Sequence, residues 1–129
     1  NEIIDVNQLN SQVFLLGYKS NVFKYLKYAD CFILSSLWED PGFVLAEAGA
    51  SNTNIISSDC PNGPKEIIQH EDFLFTNGSS KSLLEKFLIF KKKNKDDLIK
   101  QKVSVKKRIK SYTSFQHYKK LNYILKKNA

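Results

Sequence analysis

The chemistry in this sequence is concentrated in one stretch, Leu37-Trp38-Glu39-Asp40-Pro41-Gly42-Phe43-Val44-Leu45-Ala46-Glu47-Ala48, where seven residues separate Glu39 from Glu47. Asp40 followed by Pro41 reads as an N-cap and a proline at the first helical position, so a helix should begin here. The backbone N–H groups of Gly42, Phe43 and Val44 would then sit unpaired at a positive helix end, a setting that favours an anion. Gly42 has no Cβ, so an anion can approach the backbone closely. From Phe43 to Ala50 the one charged residue is Glu47, and a carboxylate on so apolar a helix requires hydrogen-bond donors or an opening to solvent. Each residue also has a plainer role: Glu47 as a glutamate favoured by the helix dipole, Glu39 as a solvated loop acid, and Pro41-Gly42 as an ordinary helix start.

These residues need a scaffold, and the surrounding sequence describes one. Gln12 to Leu16 is a short apolar run closed by Gly17, and Cys31 to Ser35, Asn54 to Ser57 and Phe73 to Phe75 are further runs of strand character. Helix-like segments lie between them at Asn21 to Ala29, Gly42 to Ala50 and around Lys65 to Gln69. Strand and helix alternating at this pitch imply stacked βαβ units, hence a parallel sheet covered on both faces. In such sheets ligands collect at the carboxyl ends of the strands, where helix N-termini point. That is where the Glu39 to Val44 loop would fall.

The chain has 129 residues, 42% apolar and 26% charged, enough for one domain with a core and too short for two. No apolar run is long enough to span a bilayer. Cys31 and Cys60 have neither CxxC spacing nor a nearby His, so they read as reduced, packed thiols rather than zinc ligands. The net charge of +7 is unevenly placed: residues 1–80 carry four Lys against ten acids, and residues 81–129 carry sixteen Lys plus Arg against three acids. The changeover lies near Asn77-Gly78-Ser79-Ser80. The basic part reads as helix throughout, with an apolar face at Ser82 to Phe90, a sparse and mostly solvated Leu98 to Ile109, and apolar residues near one side of Tyr112 to Leu125.

The Glu39 to Glu47 stretch, together with the blocks around it, resembles glycosyltransferase family four, retaining enzymes of the GT-B fold whose signature is E-x7-E. The supporting blocks are Val13 to Gly17, Ala29 to Ser36, Ile55 to Asp59 and Gly63 to Ile68, in that order, over roughly residues 10–76. The resemblance implies an α/β, Rossmann-like parallel sheet with flanking helices, the partial C-terminal half of a GT-B fold, and a basic helical tail. Residues 1–80 would form a truncated nucleotide-sugar donor-binding domain, and residues 81–129 the basic C-terminal helices of the same domain.

By the same resemblance, Glu39 would be the catalytic carboxylate and bond hydroxyls of the donor sugar, while Glu47 would accept both ribose hydroxyls. A carboxylate suits two adjacent hydroxyls because it presents two acceptor oxygens. The N–H groups of Gly42, Phe43 and Val44 would face the diphosphate and stabilise it as the leaving group. Gly17 and Tyr18 would hold the base, and Gly63 and Pro64 would line the cleft. Pro64 is read equally well as the first residue of a helix. No Asp-x-Asp occurs in the sequence, and the resemblance implies catalysis with no divalent metal and no other cofactor.

The implied activity is transfer of a hexose-type sugar from a nucleoside-diphosphate sugar to a glycan or lipid-linked acceptor, as in cell-surface polysaccharide synthesis. The family's acceptor-binding N-terminal domain, and the Arg- and Lys-bearing loop of the donor domain, are missing from these 129 residues. With no methionine anywhere, the chain reads as a piece of a longer enzyme, inactive alone. The alternative is a non-catalytic remnant or interaction module. With no signal peptide visible, the cytoplasm is the expected compartment; the lysine-rich helices are open to two readings, peripheral association at an anionic inner membrane face or a solvated face of helices docked on the sheet and on the missing domain. Specific nucleic-acid binding is not expected, because nineteen Lys stand beside one Arg, and Arg supplies the bidentate contacts that read bases.

Overall fold

The computed structural model of the protein describes residues 2–127; Asn1, Asn128 and Ala129 lie outside the described residues. Three short strands form the sheet: β1 (Cys31–Leu34), β2 (Asn54–Ser58) and β3 (Leu74–Phe75). They run parallel in the order β1-β2-β3, with Leu34 opposite Ser57 and Ser57 opposite Leu74. β2 is central and all its residues are buried, as expected for a strand covered on both faces. Parallel strands need crossovers rather than tight hairpins. α3 (Phe43–Ala50) provides the first, and α4 (Pro64–Ile67) with a 3-10 turn at Glu71–Phe73 provides the second. The product is the expected α/β architecture, an open Rossmann-like parallel sheet with flanking helices.

The remaining helices are α1 (Glu2–Val6), α2 (Phe23–Leu26), α5 (Ser80–Lys92), α6 (Lys95–Ile109) and α7 (Ser114–Lys127). α5 starts where Ser79 Oγ accepts the Ser82 N–H at 3.1 Å, and α6 where Asn94 Oδ1 accepts the Asp97 N–H at 2.9 Å, which satisfies donors that a helix start leaves free. The core gathers Leu34, Leu45, Ala48, Ile55, Ile56, Ile67, Ile68, Phe73, Phe75, Phe90 and Val105 around the sheet. The thiols of Cys31 and Cys60 are free, and burial pushes that of Cys31 up to about 12. No helix among the described residues is long and apolar enough to cross a membrane.

Four sequence expectations are corrected. Gln12 to Leu16 is not a strand: residues 11–20 are all exposed, and the N–H groups of Gln12 and Val13 both turn back to the Leu9 carbonyl. A strand needs a neighbour to pair its N–H and C=O groups, and β1 has no other strand beside it among the described residues. Phe73 ends the 3-10 turn, so β3 is two residues long. The helix expected over Asn21 to Ala29 is confined to Phe23–Leu26. Finally, α6 is less solvated than its composition implies, because Gln101 and Val105 are buried. The Gln101 amide donates to the Ile55 carbonyl at 2.6 Å and accepts the Ile55 N–H at 3.2 Å and the Asn54 Nδ2 at 2.7 Å. β3 joins β2 only from Ser57 onward, so this side chain stands where a longer β3 would have paired Ile55.

Candidate functional site

The loops that follow the three strands meet at the carboxyl end of the sheet, held by bonds between residues far apart in sequence. Ser58 Oγ donates to the Ser36 carbonyl at 2.6 Å, and Asn77 Nδ2 donates to the Leu37 carbonyl at 2.8 Å. Asp59 Oδ1 accepts the Asn77 N–H at 2.8 Å, and Lys65 Nζ lies 3.4 Å from Asp59 Oδ2. The Asn77 N–H, followed by Lys65, holds the Asp59 carboxyl below its usual range. Asn77 Oδ1 is left buried without a hydrogen-bond partner. The loop that carries Glu39 is thereby hung from β2 and from the turn after β3. Nothing in the sequence marks Asp59 and Asn77 as partners; Asn77-Gly78 signals only a turn.

The start of α3 lies two residues beyond the expected position. Asp40 is not its N-cap; Gly42 is, at φ 76° and ψ 47°, and no side chain caps the helix. The Asp40–Pro41 peptide is cis. Gly42 takes the left-handed conformation easily because it lacks a Cβ, so the chain completes its turn there and Phe43 is the first helical residue. The Leu45 N–H is bonded to the Gly42 carbonyl at 3.0 Å, which leaves the N–H groups of Phe43 and Val44, with that of Gly42 before them, as the uncapped donors of this end. A Cβ placed on Gly42 would lie 3.6 Å from Glu39 Oε2. The Glu39 carboxylate therefore folds over the same short segment of backbone.

A second loop closes on the first. The Glu39 N–H reaches the Pro61 carbonyl at 3.4 Å. Gly63 has φ 133°, and a Cβ there would sit 2.5 Å from the Pro41 carbonyl oxygen, so only glycine fits between the two loops. Pro64 then opens α4, the helical-start reading of that residue. The structure thus brings Glu39, Gly42, Phe43, Val44, Gly63 and Pro64 together. Glu47 follows on the second turn of α3, half-buried, and neither its carboxylate nor that of Glu39 has a hydrogen-bond or ion-pair partner among the described residues. Gly17 and Tyr18 face open space: a Cβ on Gly17 would meet nothing within 4 Å, and Tyr18 is 92% exposed. No group of three or more His, Cys, Asp or Glu able to hold a metal ion occurs among the described residues.

Beside this cluster, Pro41, Phe43 and Glu66 share an open cleft of about 1100 Å³ with Arg108, Tyr112, His117, Tyr118, Lys120 and Leu121. Tyr112 Oη donates to Glu66 Oε2 at 2.8 Å and so ties the break between α6 and α7 to α4. Burial and then Glu66 raise the Tyr112 phenol above its ordinary value. Glu39 and Glu47 are not among the walls of this cleft. Chemically, the cluster offers two unpartnered carboxylates able to accept hydroxyl donors, set either side of uncapped backbone N–H groups that favour negative charge.

Residues 2–110 match the family described as glycosyl transferases group 1. A stretch of 67 residues, 52% of the chain, is 45% identical to an uncharacterized glycosyltransferase of Methanocaldococcus jannaschii. That stretch covers 16% of the archaeal relative's length. The family match runs through the sheet, the Glu39 to Glu47 loop and the first tail helices, and on that ground the chain belongs to the glycosyl transferases group 1 family.

Proposed function

We propose that this chain is the donor-binding part of a retaining glycosyltransferase of family four, in the C-terminal half of a GT-B enzyme. It would hold a nucleoside-diphosphate sugar whose sugar moves to a glycan or lipid-linked acceptor bound by another domain. The observation that carries the reading is the loop cluster itself: two unpartnered carboxylates flanking uncapped N–H groups at the carboxyl end of a parallel sheet. In this reading Glu39 bonds the sugar hydroxyls, and Glu47 accepts the ribose hydroxyls. Gly42, Phe43 and Val44 direct their N–H groups at the diphosphate, stabilising charge as it develops on the leaving group. Gly63 and Pro64 support that loop from the second crossover, and Gly17 and Tyr18 would reach the base once the exposed 11–20 segment is covered. No metal enters the proposal, because backbone dipoles supply the positive field at the diphosphate.

The test is saturation-transfer NMR of the full chain with UDP-glucose and GDP-mannose, which detects weak complexes. At least one donor should show transfer to its ribose and sugar protons. Glu47→Ala should remove a charged acceptor of about 1.5–3 kcal/mol and raise the dissociation constant roughly 10- to 100-fold. Undiminished transfer to the ribose in Glu47→Ala would take that residue out of the site. The chain alone is not expected to transfer sugar.

A further inference from the structure

The cleft between the start of α3, α4 and the break from α6 to α7 has about 1100 Å³, ample for a small ligand, whose sites usually measure roughly 300–1,000 Å³. Its charge is one-sided. Glu66 is the one carboxylate in the wall, and it already accepts the Tyr112 hydroxyl at 2.8 Å. Arg108, His117 and Lys120 line the same space, and none of them has an ion-pair partner among the described residues.

Arg108, the chain's one arginine, is half-buried in the last turn of α6. A guanidinium that has lost part of its hydration without meeting a carboxylate favours an anion, and its planar fork fits two oxygens of a carboxylate or a phosphate. The backbone around it is tied down. Ser111 Oγ donates to the Arg108 carbonyl at 2.7 Å, and the bond from Tyr112 to Glu66 fastens the same turn to α4. Burial and Glu66 raise the Tyr112 phenol while Arg108 opposes them, which places the guanidinium within electrostatic reach of that hydroxyl.

The rest of the wall describes what the anion is attached to. Phe43, Tyr112 and Tyr118 border the cleft and are all exposed, and aromatic faces take the C–H faces of sugar rings. Gln69, Ser111 and Ser114 add side chains that both donate and accept hydrogen bonds, which suits a ring carrying many hydroxyls. A bare inorganic anion would leave the aromatic rings uncovered, and a neutral sugar would leave Arg108 without a partner.

We infer that this cleft binds an anionic saccharide, its ring against Phe43 and Tyr118 and its carboxylate or phosphate on Arg108 and Lys120. Phe43 belongs both to the uncapped start of α3 and to the wall of the cleft, so the saccharide lies beside the place proposed for the donor. Resting on that proposed function, the saccharide is the acidic end of the acceptor, whose remainder another domain holds. The binding itself does not depend on that function.

An amide-resolved NMR titration of the full chain with methyl glucuronoside and with glucose 6-phosphate tests it, with methyl glucoside and inorganic phosphate as controls. At least one acidic saccharide should shift the amide resonances of Arg108, Ser111, Ser114 and Tyr118 and bind about tenfold or more tightly than either control; the two acids separate a carboxylate preference from a phosphate one. Arg108→Gln should weaken that binding about tenfold or more, and Arg108→Lys should restore only part of it, because the charge returns without the fork. Lys120→Gln, at an exposed position, should also weaken it and keeps the inference testable if Arg108→Gln disturbs the fold. No response to either acid, equal binding of the neutral glucoside or of phosphate alone, or full binding by both glutamine variants would each overturn the inference. Displacement of the saccharide by UDP-glucose, with shifts centred on Gly42 and Val44, would overturn it too by assigning the ligand to the donor site, and would leave the proposed function standing. Saccharide binding in a chain that responds to neither UDP-glucose nor GDP-mannose would uphold the cleft and count against that function.

Discussion

Glu39 and Glu47 matter because no group among the described residues neutralises them. A carboxylate on a mostly apolar helix usually finds a donor or an ion pair, and these two instead flank a glycine turn and an uncapped helix start. Their residue types and spacing were legible in sequence because both follow from local chain order. The helix start was legible only to within two residues, since Asp-Pro is a familiar opening signal and Gly42's left-handed turn overrode it. The role of Gly63 was not legible, because it depends on a carbonyl twenty-two positions earlier, that of Pro41. A methyl group at position 63 meets that oxygen and also imposes a strained φ. Gly63→Ala is therefore expected to lower the unfolding free energy by about 2 kcal/mol or more, measured by urea denaturation. A neutral result would mean that the two loops do not pack as described.

At the scale of elements, the strands that form are short apolar runs that find neighbours, and the one that fails is a similar run without one. Periodicity cannot separate Cys31 to Leu34 from Gln12 to Leu16, because it reads side chains while pairing is decided by backbone groups on another segment. α6 shows the same limit. Its buried side is marked by Gln101 and Val105, and the Gln101 amide occupies a position that no sequence rule assigns to a glutamine. Removing it leaves the Ile55 N–H and C=O without their side-chain partner and frees one bond of Asn54. Each unsatisfied buried group costs about 1–3 kcal/mol. Gln101→Ala should thus destabilise the protein by about 3 kcal/mol in chemical denaturation, and Gln101→Glu, of the same size, should not rescue it because the carboxylate faces the Ile55 carbonyl. Wild-type stability in either variant would remove Gln101 as the brace between tail and sheet.

At the scale of the whole molecule, the two charge regions separate two surfaces. The acidic part holds the sheet and the loop cluster; the basic part supplies α5 and α6, which pack on that sheet, and α7, which does not bury a residue. The fold class was readable because βα alternation is a repeated local pattern, whereas the exposure of Phe14, Leu15 and the apolar side of α7 depends on what lies against them. The central claim is that a nucleotide-sugar donor seats on the loop cluster at the strand ends. The most direct measurement is an amide-resolved NMR titration of the full chain with UDP-glucose and GDP-mannose. The account predicts that one donor shifts the amide resonances of Gly42, Phe43 and Val44 before those of the tail. No response from those three amides to either donor, or a response confined to α6 and α7, would contradict it.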